Sequence, residues 1–105
     1  MSRQLDLQLY LALHGYKLKV IPEERFDDYM SEPCYSTDAE AMFELDLLMG
    51  ERGWNKTVDS DIYGHVIVNY WNDDNVHQKA GYKKQQYLSA ITAFEALTGK
   101  EWDGD

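Results

Sequence analysis

Tyr35, Ser36 and Thr37 stand directly before Asp38, Ala39 and Glu40, so hydroxyl groups gather where a helix is expected to begin. Such a place can hold an anion such as a phosphate, because the first N–H groups of a helix lack partners and its dipole favours negative charge. Asp38 and Glu40 oppose that use, since two carboxylates already meet the same donors. Capping is the stronger reading of the segment, and ligand binding the weaker.

Other residue types that carry chemistry are scattered. His14, His65 and His77 fall in three separate segments and lack the paired spacing of a zinc helix or a cysteine–histidine module. His77 with Asp73 and Asp74 offers oxygen and nitrogen ligands, but no glycine or terminal glutamate completes a calcium loop, so a solvated turn is the simpler account. Cys34 is the single cysteine and has no neighbouring base to activate it. Gly99-Lys100 follows a helical pattern and lacks the hydroxyl residue of a phosphate loop. With 19 acidic residues, accidental carboxylate pairs carry no information about acid–base catalysis. No enzyme signature, metal site or cofactor is expected.

The aromatic content is more informative. Eight Tyr, three Trp and three Phe make up 13% of the chain, more than one small core is expected to bury. Tyr63, Tyr70, Trp71 and Tyr82, with Tyr87 beyond them, cluster around two strand patterns and the following loop, and surface Tyr and Trp commonly anchor contacts. Core packing explains each of these aromatics singly. As a group they are the preferred binding surface, with Tyr35, Ser36 and Thr37 as the second candidate.

These residues need elements to position them. Leu5, Leu9, Ala12 and Leu13 have helical spacing between Ser2 as cap and Gly15 as stop, although Leu7 and Leu11 add a strand-like alternation. Tyr16, Leu18 and Val20 alternate with Lys17 and Lys19 and predict a strand that Pro22 ends. Residues 22–36 read as a long acidic loop, after which Thr37 and Glu40 form a capping box for a helix ending near Gly53. Trp54–Asp59 and Ile62–Trp71 predict a hairpin turning at Ser60-Asp61, and the second strand carries apolar groups on both faces. Residues 72–82 read as a polar loop. Tyr87, Ala90, Ile91, Phe94 and Leu97 then form the stripe of a last helix stopped by Gly99.

The expected fold class is α/β: a three-layer alpha-beta-alpha sandwich in the order α-β-α-β-β-α, around a small three-stranded mixed sheet. With 105 residues, one domain over residues 1–99 is expected, followed by an acidic tail over 100–105. Ten basic residues against 19 acidic give a formal charge of −9, which repels nucleic acid and anionic membranes. No apolar run suits a bilayer span or an export signal, so the cytoplasm is the expected compartment.

Pro33-Cys34-Tyr35-Ser36-Thr37-Asp38-Ala39, then Trp54, then the Ala-rich run from Leu88 to Leu97 resemble the phage ABA-sandwich domain family. The resemblance spans roughly residues 3–99 and departs at the long polar loop before Tyr82 and in the stronger acidity. It implies a phage origin, alpha-beta-alpha layering and a bacterial host cytoplasm, and it transfers no catalytic residues. Together these features lead to an expected non-enzymatic accessory protein that binds a host or defence protein through an acidic, aromatic-bearing surface, mimicking nucleic-acid charge or inhibiting a defence. The alternative is a sponge for a cyclic or ADP-ribose-type nucleotide, held by Ser36, Thr37 and the basic cluster Lys79, Lys83 and Lys84. A second copy of the chain is a further expected partner.

Overall fold

The computed structural model describes residues 3–29 and 33–102. Ser2, expected as a cap, and residues 103–105 of the tail lie outside them. The elements are α1 (Arg3–Leu13), a short 3₁₀ helix (Glu23–Tyr29), α2 (Ala39–Glu51), β1 (Asn55–Ser60), β2 (Val66–Trp71), β3 (Val76–Gly81) and α3 (Gln85–Thr98). The α/β class holds. The strands form an antiparallel sheet in the order β1-β2-β3, so the expected mixed sheet and its parallel crossover are corrected.

The layering differs from expectation, and α3 is the reason. Eight consecutive residues, Leu88 to Glu95, are buried, so this helix meets protein on more than one side. Ser89, Ala90, Thr92 and Ala93 are small enough to let neighbours approach closely, and the Thr92 hydroxyl is satisfied within the helix by donating to the Leu88 carbonyl at 2.6 Å. α3 packs on β2 and β3 along one side and on α1 and α2 along others. The element that meets most of the others is therefore a helix and not the sheet, although α2 also touches β1.

Among the described residues, helices cover only one face of the sheet. Val68 and Tyr70 point inward and are buried, while Trp71 and Val76 on the outer face are exposed. The apolar residues on both faces of β2 predicted helices above and below. Instead, no helix among the described residues packs on the outer face, where Ile67 is only partly buried.

The segment Tyr16–Ile21 alternates like a strand but joins no sheet. Its partner is a helix. The Gln4 amide donates to the Ile21 carbonyl at 2.7 Å and accepts from the Ile21 N–H at 3.0 Å, and Gln8 donates to the Lys19 carbonyl. Two side-chain amides thus supply the hydrogen bonds that a neighbouring strand would have given. This strap lies across the outside of α1, where Leu7 and Leu11 form a small cluster with Ile21, Leu18 and Phe26. Leu5, Leu9 and Leu13 face the main core instead, so the alternation within α1 reflects a helix buried on two faces.

β3 was expected to be loop. It forms because Asn72 builds a tight turn: its side chain accepts from the Asp74 and Asn75 N–H groups, and its own N–H donates to the Asn75 carbonyl. Trp71 and Val76 are thereby brought into register. The inward residues of β3 are His77, Lys79 and Gly81, which carry no hydrophobic signal. His77 packs edge-on to Trp54, with ring centroids 5.6 Å apart, and Lys79 pairs with the buried Glu95 at 3.2 Å.

Glu95 also accepts from the Trp102 N–H at 2.9 Å, and the Trp102 ring meets Phe94 edge-on. The chain is therefore docked as far as Trp102, three residues beyond the expected boundary of the packed domain.

Two outcomes test this packing. Gln4→Ala should lower unfolding free energy by about 1–3 kcal/mol in urea titration and speed hydrogen exchange at the Ile21 amide, since both backbone groups of Ile21 lose their partner. The Ser89 hydroxyl is buried without a hydrogen-bond partner among the described residues. Ser89→Ala should accordingly leave the melting temperature unchanged or raise it, and a marked fall would show that the hydroxyl is used.

Candidate functional site

The expected aromatic cluster divides into three places. Tyr70 is fully buried and belongs to the core. Trp71, its neighbour in sequence, points to the opposite face at the far end of β2, paired with Asn55 and Val76. Tyr63 and Tyr82 lie at the other end of the sheet, separated from Trp71 by roughly 17 Å at ~3.4 Å per residue along the strand.

The turn between β1 and β2 is longer than its sequence suggested. Ser60-Asp61 was expected to connect the strands directly, with Ile62 and Tyr63 inside the second one. The Asp61 carboxylate instead accepts from the Tyr63 N–H at 2.8 Å and from the His65 N–H at 3.0 Å. The Asp61 N–H donates to the His65 carbonyl, and the Gly64 N–H donates back to the Asp61 carbonyl. Gly64 takes a φ of 85°, in the left-handed region that glycine enters without strain. Five residues are thus closed by their own hydrogen bonds, and the two large side chains between Asp61 and Gly64 turn to solvent. Ile62 is 90% exposed and Tyr63 79%.

β3 ends beside this turn, since Gly81 pairs with Val66. The next residue, Tyr82, is 75% exposed and sets its ring 5.1 Å from that of His65. Ile62, Tyr63, His65 and Tyr82 therefore share one end of the sheet. Sequence reasoning had named Tyr63 and Tyr82 but placed Ile62 within a strand. The signal for the turn was Asp61 three residues before Gly64, an arrangement suited to a loop held by a carboxylate.

The fold does not bring Tyr35, Ser36 and Thr37 together on one surface. Tyr35 and Ser36 are buried, and the Ser36 N–H donates to the buried Asp6 carboxylate of α1 at 2.9 Å. Only Thr37 is exposed. The cap of α2 is Asp38 rather than Thr37, its side chain accepting from the Glu40 N–H at 3.0 Å. A carboxylate thus already fills the place an anion would take.

Two of the three lysines of the nucleotide reading have partners within the fold, while Lys84 is exposed at the start of α3. Lys79 is paired with Glu95 and lies 3.7 Å from Glu101, and the Lys83 ammonium sits over the Tyr87 ring at 5.6 Å. A recess of about 90 Å³ lies between Lys19, Val20, Ile21, Pro22 and Arg25. It is well below the roughly 300–1,000 Å³ that holds a small organic ligand. Among the described residues, no three His, Cys, Asp or Glu side chains gather as metal ligands, and no helix is long and apolar enough to cross a membrane.

One polar cluster was missed entirely. The Asp46 carboxylate of α2 accepts from the Tyr70 hydroxyl and from the Lys56 ammonium, both at 2.8 Å, and that ammonium lies 5.5 Å from the centre of the Tyr70 ring. Burial, reinforced by the charge of Asp46 and the hydrogen bond to it, pushes the Tyr70 phenol far above its ordinary value. Through Asp46 the cluster fastens α2 to one side chain of β1 and one of β2. Nothing in the spacing of residues 46, 56 and 70 announces it, because each belongs to a different element.

Tyr70 has a readable pH signature. The unfolded chain releases the phenolic proton above pH ~10, whereas the folded protein holds it, so this contribution is complete below pH ~10 and declines above it. Stability should fall less steeply between pH ~10 and ~11 in Tyr70→Phe than in the parent, by up to about 1.4 kcal/mol per pH unit. Equal slopes in urea titrations would contradict the assignment.

Compared with protein-family models, with curated proteins and with solved structures, the chain finds a match in none of the three.

Proposed function

We propose that this chain works by docking on another protein, without catalysis, and that Ile62 and Tyr63 are the anchors. The supporting observation is that two adjacent large side chains stand almost fully in solvent on a turn closed by the Asp61 carboxylate. A turn already held in one conformation loses little entropy when it binds, and tyrosine is among the residues that typically carry much of the energy of protein interfaces. Tyr82, packed on His65, widens the same contact.

The formal charge of −9 selects among partners by speeding encounter with electropositive faces and repelling nucleic acid. On the resemblance to small phage proteins, the partner is a protein of a bacterial host cytoplasm, its defences included. Pieces of the alternative nucleotide site have other occupations in the fold, so docking is the better supported reading.

The test compares the full chain with the double variant Ile62→Ser/Tyr63→Ser as baits in host lysate, with retained proteins quantified by mass spectrometry. Both side chains are exposed, so circular dichroism and the melting temperature should be unchanged. At least one host protein should fall by about tenfold or more on the variant. Equal recovery of every retained protein would overturn the proposal.

A further inference from the structure

A second exposed apolar feature lies on α2. Its buried residues, Ala41, Met42, Leu45 and Met49, face the core. On the opposite side, Phe43 is 61% exposed and Leu47 72% exposed. At a spacing of four residues they sit one above the other as a ridge, the shape that fits between the side chains of a second helix.

The flanking charges state what would fit there. Glu40, Glu44 and Glu51 are exposed and fall on the side of α2 next to the ridge, with Asp38 at its start. The nearby base, Arg52, is turned back on the protein, donating to the Leu48 and Leu13 carbonyls. A second copy of this chain would bring the same carboxylates against one another. A helix with an apolar stripe and flanking lysines or arginines would meet both the ridge and the charges.

We propose that the outer face of α2 docks a basic amphipathic helix of a partner protein, its apolar stripe on Phe43 and Leu47 and its cations against Glu40, Glu44 and Glu51. The surface is separate from the hairpin end, so it deepens the docking reading without depending on Ile62 and Tyr63.

The probe is a short synthetic amphipathic helix of Leu and Lys, titrated into the ¹⁵N-labelled chain, with a Leu/Glu helix of the same pattern as counterpart. The Leu/Lys peptide should shift the amide signals of residues 39–51. Phe43→Ser/Leu47→Ser should weaken it about tenfold or more with the fold retained, and Glu40→Gln/Glu44→Gln should weaken it and flatten its salt dependence. Ile62→Ser/Tyr63→Ser should bind it like the parent, which keeps failure here distinct from failure of the hairpin reading. The proposal is overturned if the shifts fall elsewhere, if Phe43→Ser/Leu47→Ser binds equally well, or if the Leu/Glu helix binds as tightly. It is also overturned if sedimentation shows the parent to be a dimer that this same variant dissolves, since a second copy would then be the occupant.

Discussion

The architecture depends on one helix being enclosed. α3 packs against β2 and β3 and against both other α-helices, so its circumference from Leu88 to Glu95 had to be built from residues that tolerate burial on nearly every side. Apolar residues and small hydroxyls meet that condition easily. Glu95 does not, and a buried carboxylate is costly unless it is paired and hydrogen-bonded. Lys79 from β3 and the backbone of Trp102 supply those partners, and the two demands then organise their surroundings. The lysine gives a strand of weak propensity a reason to lie against α3, and the tryptophan brings the end of the described chain back onto Phe94.

The other side of α3 follows a related logic. α1 is also covered on two faces, but its outer cover is a single extended strap rather than a sheet. An isolated strap must find partners for its backbone, and Gln4 and Gln8 provide them from the helix beneath. Leu7 and Leu11 supply the apolar contact, each fully buried leucine contributing roughly 1.5–3 kcal/mol. Neither the glutamines nor the leucines would hold the strap alone: the first lack area and the second lack direction.

Much of this was legible in the sequence wherever a local rule was sufficient. The three α-helices, the stop of α3 at Gly99 and the pairing of β1 with β2 follow from periodicity, propensity and turn chemistry, which act over a few residues. The readings failed where a residue's partner was distant in sequence. Tyr16–Ile21 has the alternation of a strand, but its hydrogen bonds come from glutamines on a helix. Val76–Gly81 lacks that alternation because its inner face uses a ring contact and an ion pair. Tyr70 and Trp71 looked alike as neighbours, yet a strand sends adjacent side chains to opposite faces, one into the core and one toward solvent. At the hairpin end, Tyr63 and Tyr82 were found from residue type, whereas Ile62 emerged only once the carboxylate-closed turn was known.

The uncovered face of the sheet gives the acidity of the chain a second meaning. A three-stranded sheet whose two outer strands have no further strand beside them among the described residues, with Trp71 and Val76 on its bare side, is a template on which copies of the same molecule could add strand to strand. A charge of −9 on 105 residues makes every such approach begin uphill. Acidity then acts as a spacer between identical molecules: it keeps the bare face from being satisfied by the wrong neighbour while admitting one of opposite sign.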